Sequence, residues 1–235
     1  MKRTGNATSD DTKFPPFETR ELRKRIKEFL NIEIIDEITK NIIKIGNYKF
    51  GVYAFFDYDG EPIYVGQTNE NLRTRIGRHL TNQRTDAVAM NVLDPFEVYE
   101  IEVWPLPEYE GVTSKNLEAQ VQLNALEYEV FITELKKSQF NAVLNEKDPL
   151  VPMHRVSMPK SYRGIIVSDE VYDIRKHPDI RIARRASVLA RLAQVISERQ
   201  VQTGLRKTLL TQAKRLDWLA ERRYNALVKE VGDAE

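Results

Sequence analysis

Residues 49–66 read Lys49-Phe-Gly-Val-Tyr-Ala-Phe-Phe-Asp-Tyr-Asp-Gly-Glu-Pro-Ile-Tyr-Val-Gly66. The first eight are rich in aromatic and β-branched side chains, which favour extended backbone. Asp57-Tyr-Asp-Gly60 is a turn signal with Asp59-Gly60 at its tip, and Glu61–Gly66 is a second short strand. The stretch predicts a β-hairpin. Such a hairpin puts Tyr53 and Tyr64 on adjacent strands, where both rings can reach one face. Gly51 and Gly66 beside them would let a phosphate backbone approach without side-chain obstruction. Taken alone, the pair reads equally well as two half-buried sheet tyrosines.

Outward from the hairpin the periodicity changes. Leu72–Leu80 reads as a basic helix carrying Arg73, Arg75, Arg78 and His79. Phe96–Trp104 alternates well enough for a third strand, closed by Pro105 and Pro107, and Ser114–Lys137 has the apolar spacing of a long helix. Before the hairpin, Thr19 can cap a helix with Leu22, Ile26, Phe29 and Leu30 on one face. Ile34, Ile35, Ile38, Ile42 and Ile43 suggest a second short helix ending near Gly46. After Pro149 come loops with a strand-like run at Arg163–Ser168, a helix opened by Pro178 and running to about Glu198, and another from Thr203 to about Val231. The expected organisation is a flexible tail (1–16), an N-terminal helical arm (17–47), a catalytic domain (48–148) and a mostly helical C-terminal module (149–235). The expected fold class is α+β, with a small antiparallel three-stranded sheet flanked by helices.

Composition narrows the function classes. The 235 residues contain no cysteine, which excludes disulfides, cysteine zinc sites and thiol catalysis, and only three histidines, which excludes a His-rich metal site. No apolar run approaches the roughly 20 residues of a membrane helix, and the first residues lack a signal peptide's apolar core. A cytoplasmic location and no membrane partner are the expectations. The net charge of +1 hides an asymmetry: +3 over residues 1–50, −7 over 51–112, −2 over 113–150 and +7 over 151–235. An acidic centre between basic ends suits a multivalent cation flanked by phosphate-binding arms, or is ordinary surface variation.

Arg75 and His79 lie four apart, on one helical face. A guanidinium beside an imidazole suits a phosphodiester: Arg neutralises the oxyanion, and His can bond a non-bridging oxygen or relay a proton. In the C-terminal module Arg181, Arg184, Arg185 and Arg191 punctuate one helix. They read either as a DNA-backbone stripe or as a solvated face.

Gly51-Val-Tyr53, Tyr64-Val-Gly66, Arg75 with His79, Glu127 and Phe140-Asn141 occur in an order that resembles the GIY-YIG nuclease family, over about residues 49–146. Val replaces Ile in both triplets, and the Pro usual before the aromatic-Asn pair is absent. The resemblance implies a catalytic set of Tyr53, Tyr64, Arg75, His79, Glu127 and Asn141. It makes Tyr53 the general base, directly or by relay, and Tyr64 a supporting hydroxyl. Glu127 is the metal ligand by its apolar phase, with Glu129 as the alternative. The implied cofactor is Mg2+, with Mn2+ as a substitute. The implied substrate is double-stranded DNA, contacted also by Arg73, Arg78 and the four C-terminal arginines, with a homodimer at least on DNA. A Type II restriction endonuclease is the expectation. Homing, repair or structure-selective nucleases, and a non-catalytic DNA-binding protein on this scaffold, are the alternatives.

Overall fold

The computed structural model describes residues 16–81, 93–145, 147–198, 200–201 and 203–232. All but Pro16 of the expected tail lies outside them. In chain order the elements are α1 (Phe17–Leu30), β1 (Glu33–Ile35), β2 (Ile42–Lys44), β3 (Gly51–Phe56), β4 (Pro62–Thr68), α2 (Leu72–Thr81), β5 (Glu100–Pro105), α3 (Leu117–Lys137), β6 (Tyr162–Ile165), α4 (Asp169–Arg175), α5 (Pro178–Glu198) and α6 (Thr203–Gly232). The class is α+β with antiparallel sheets. Among the described residues, no helix is long and apolar enough to cross a membrane.

The quoted hairpin forms as β3 and β4, with Tyr53 opposite Gly66 and Phe55 opposite Tyr64. Asp57 makes its turn: Oδ1 accepts the amides of Asp59 (2.9 Å) and Glu61 (3.0 Å). Gly60 follows at φ 76°, a conformation that costs glycine nothing. β5 pairs along the other side of β3, so β3 is central and every one of its residues is buried. Val52, Ala54 and Phe56 pack on one face against Leu123, Leu126, Val130 and Phe131 of α3. Tyr53 and Phe55 lie on the other, in the core formed with α1 and α2.

The structure departs from the sequence reading in several places. Thr19 lies inside α1 rather than capping it, with Pro16 at the N-cap and no side-chain cap. The main sheet has four strands, ordered β4-β3-β5-β6, because Tyr162–Ile165 pairs antiparallel with β5. Gly164 permits this: a Cβ there would meet the Phe29 ring of α1 at 2.6 Å. The isoleucine run expected as a helix is the β1–β2 hairpin. Asp36 turns it, its Oδ1 accepting the amides of Ile38 (3.0 Å) and Thr39 (2.6 Å), and β-branched residues on either side suit extended backbone. The third strand starts at Glu100 rather than Phe96, since Asp94 caps a single 3-10 turn over Pro95–Glu97.

α5 and α6 pack on each other and dock onto the hairpin turn through buried charges. Asp57 Oδ2 accepts from Arg185 and Arg215, Asp59 pairs with Arg181, and Glu97 accepts Arg185 Nε at 3.1 Å. All three arginines are buried. Removing one partner from such a cluster strands the other charges in a low-dielectric site. Asp57→Asn keeps the turn-forming oxygen but removes the charge, so urea unfolding should show a loss of about 3–5 kcal/mol. A loss below about 1 kcal/mol would mean the cluster behaves like a solvated surface pair.

Candidate active site

Tyr53 is fully buried, and its ring lies across Gly66 on the neighbouring strand. A Cβ on Gly66 would stand 2.7 Å from the Tyr53 hydroxyl and 2.6 Å from Tyr64 Cε1. Gly51 is equally constrained, with the Trp104 carbonyl 2.9 Å from its would-be Cβ. Both glycines therefore answer to packing within the sheet: one makes room for two tyrosine rings, the other for the β5 backbone. The rings of Tyr53 and Tyr64 are 6.2 Å apart. His79, one turn after Arg75 on α2, completes the group at 5.9 Å from Tyr53 and 5.2 Å from Tyr64.

β4 is an edge strand, and around it the two faces of the sheet meet. Arg75 on α2 is half-buried and acts on both Tyr53 and Glu127. Glu127, half-buried on α3, also accepts a hydrogen bond from Gln67 of β4. Gln67 Nε2 donates to Asn124 Oδ1 at 2.7 Å, one helical turn before Glu127. Burial pushes the Glu127 carboxyl up to about 7, against the pull of Arg75 and Gln67. Burial, and then neighbouring Tyr64, drive the Tyr53 phenol well above its ordinary value, with Arg75 opposing. Tyr53 is thus a neutral hydroxyl at physiological pH.

Arg75, Gln67 and Asn124 line a cleft of about 410 Å3 together with Asn69 and Gln120 among others. The cleft is polar and open, shaped to admit a charged, hydrated ligand. Among the described residues, no group of three or more His, Asp or Glu could enclose a metal ion. Glu127 nonetheless fits a divalent cation: it is a partly desolvated carboxylate, only partly neutralised, beside an open cleft. Such a cation would be completed by water and substrate oxygens, the arrangement Mg2+ favours.

The structure brings together Tyr53, Tyr64, Arg75, His79 and Glu127. Glu129 is buried elsewhere and is held by Arg155. Asn141 is exposed at φ 48° in the turn after α3, its amide donating to the Ser138 carbonyl. No contact of its side chain with the cluster is found among the described residues. Arg73 donates to the Leu30 carbonyl at 2.9 Å, and Arg78 pairs with Glu70 at 2.9 Å. Of the C-terminal arginines, Arg181 and Arg185 are buried in the ion cluster and offer no surface to a phosphate. Arg184 is half-buried against Asp94, and Arg191 is exposed. Gln67 and Asn124 were not singled out by sequence. The signal was available: one directly follows the second triplet, and the other precedes Glu127 by three residues on the helix.

Residues 49–141 match the family model described as the GIY-YIG catalytic domain. No curated protein and no solved structure gives a significant match to the chain.

A carbon-detected NMR titration of the Glu127 carboxyl, without divalent cation, should give a midpoint of about 7. Arg75→Met should raise it further, and by more than Gln67→Leu, because each substitution removes a group that favours the charged form. The folded-state value lies above the unfolded one, so the folded protein holds this proton longer. Its contribution to stability is present at low pH and is lost as pH rises through the window between the ordinary value of 4.5 and about 7. A midpoint near 4.5 would show a solvated carboxylate.

Proposed function

With residues 49–141 a GIY-YIG nuclease domain, we propose that the protein is an endonuclease that hydrolyses phosphodiester bonds in double-stranded DNA with Mg2+, or Mn2+ in its place, and is of the Type II restriction kind. One observation carries this reading: Tyr53, Tyr64, Arg75, His79 and Glu127, drawn from four different elements, converge at the β4 edge beside a polar cleft. In the mechanism we propose, Glu127 would hold the cation, which would supply positive charge to stabilise the departing oxygen. Arg75 neutralises the non-bridging oxygens as charge develops on them. The Tyr53 hydroxyl, kept neutral by burial, serves as a relay: Oη accepts a hydrogen bond from the attacking water and passes its own proton inward. His79, whose ring lies 5.9 Å from that of Tyr53, is the acceptor we assign, because imidazole has an ordinary pKa suited to proton uptake near neutrality. Tyr64 orients the water or phosphate through its hydroxyl. One such site cuts one strand, so double-strand cleavage takes two copies, arranged as a homodimer on the duplex.

Supercoiled plasmid should be linearised at discrete positions in Mg2+ and left intact in EDTA. Glu127→Gln should abolish cleavage while duplex binding persists, whereas Glu129→Gln should cost no more than a few-fold. The reverse ranking would move the cation to Glu129. Preference for branched DNA or RNA over plasmid would make the protein a structure-selective or RNA-acting nuclease. Intact plasmid under every divalent cation, with duplex binding retained, would leave a DNA-binding protein.

A further inference from the structure

Over Phe17–Leu30 the sequence holds five basic residues, Arg20, Arg23, Lys24, Arg25 and Lys27, and three acidic ones, Glu18, Glu21 and Glu28. Read linearly, this is a nearly balanced, solvated helix. The fold unbalances it. Glu18 is drawn away to Arg175 (3.1 Å) and Arg184 (3.7 Å). Glu28 pairs with Arg25 at 3.3 Å, and Glu21 lies 3.8 Å from Lys24. Among the described residues, Arg20, Arg23 and Lys27 have no ion-pair partner, and all three are exposed. At spacings of three and four they form one stripe, with Lys24 beside it, while Leu22, Ile26, Phe29 and Leu30 bury the other side of the helix.

α1 is fixed against the helix that carries Arg75. α1 packs on α2, and the Arg73 guanidinium, two residues before Arg75, donates to the carbonyl of Leu30 at the end of α1. The Glu18–Arg175 pair ties the first turn of α1 to the C-terminal part of the chain. Seven residues of helix rise about 10 Å, and one DNA strand presents a phosphate about every 3.4 Å of axis. Three cations over that length match about three phosphates. Arg181 and Arg185 cannot supply this contact, because both are buried.

Resting on the nuclease reading above, we infer that Arg20, Arg23 and Lys27 on α1 form a phosphate-backbone contact for the DNA duplex flanking the cleavage site.

The test is equilibrium binding of a fluorescein-labelled duplex several turns long, by anisotropy, in EDTA over a KCl series. The triple variant Arg20→Gln, Arg23→Gln, Lys27→Gln should bind more weakly. Its log–log salt slope should be shallower by about two to three units, at about 0.9 per lost phosphate contact. Arg20→Lys with Arg23→Lys should restore most of the slope, which a packing role would not do. Lys229→Gln, at an exposed position near the end of α6, should change it little. A wild-type slope in the triple variant with an unchanged melting curve would overturn the inference, as would failure of the wild type to bind duplex. So would loss of binding to phosphatidylserine vesicles in the triple variant without loss on DNA. Loss of slope without any Mg2+-dependent cleavage by the wild type would uphold the contact surface and refute the nuclease reading instead.

Discussion

A side chain at residue 66 would occupy the space that the Tyr53 and Tyr64 rings share, and the rest of the site depends on that space staying empty. Tyr53 comes from the central strand, where both faces are buried, and its hydroxyl can approach the sheet edge only by passing over a residue without a Cβ. There it meets Arg75 from the helix on one face and the field of Glu127 from the helix on the other. The edge strand is therefore not simply the end of the sheet. It is where groups held in two separate cores act on one another across a backbone with nothing in the way.

Desolvation is the common cause of the site's electrostatics. It raises both Glu127 and Tyr53, and Arg75 opposes it in both cases. The consequences differ because the ordinary values differ. A carboxyl near 7 remains available to a cation at neutral pH, whereas a phenol raised further is committed to its protonated form. A single environment thus sets the two groups apart in protonation, as the roles proposed for them require.

Much of this was legible from residue order, and the failures are specific. The aromatic and β-branched run with its Asp-Gly turn led to β3 and β4, and the proline and threonine signals located α5 and α6 closely. β6 was not identified as part of the sheet because its partner, β5, is far away in sequence, and nothing local to Tyr162–Ile165 announces a strand pair. The β1–β2 hairpin is not legible in the sequence because isoleucines satisfy helical spacing and extended backbone alike, while the deciding Asp36 turn is a side-chain effect that periodicity does not register. The α5 arginines read as a DNA-backbone stripe or as a solvated face, and neither describes Arg181 and Arg185, which are buried. Arg185 is drawn in by Asp57, 128 residues earlier, which no helical pattern can reveal. The charge asymmetry between the acidic centre and the basic C-terminus resolves, in large part, into that internal docking.

The central claim is that the Tyr53 hydroxyl, buried and neutral, moves a proton during phosphodiester hydrolysis. The most direct measurement is the single-turnover rate of duplex cleavage by Tyr53→Phe in Mg2+, with binding in Ca2+ as the reference. The substitution keeps the ring over Gly66 and removes only the oxygen. The account predicts a rate loss of about 10²-fold or more with near-wild-type binding. A Tyr53→Phe protein that cuts at close to the wild-type rate would contradict it and leave Tyr53 as a packing residue of the sheet.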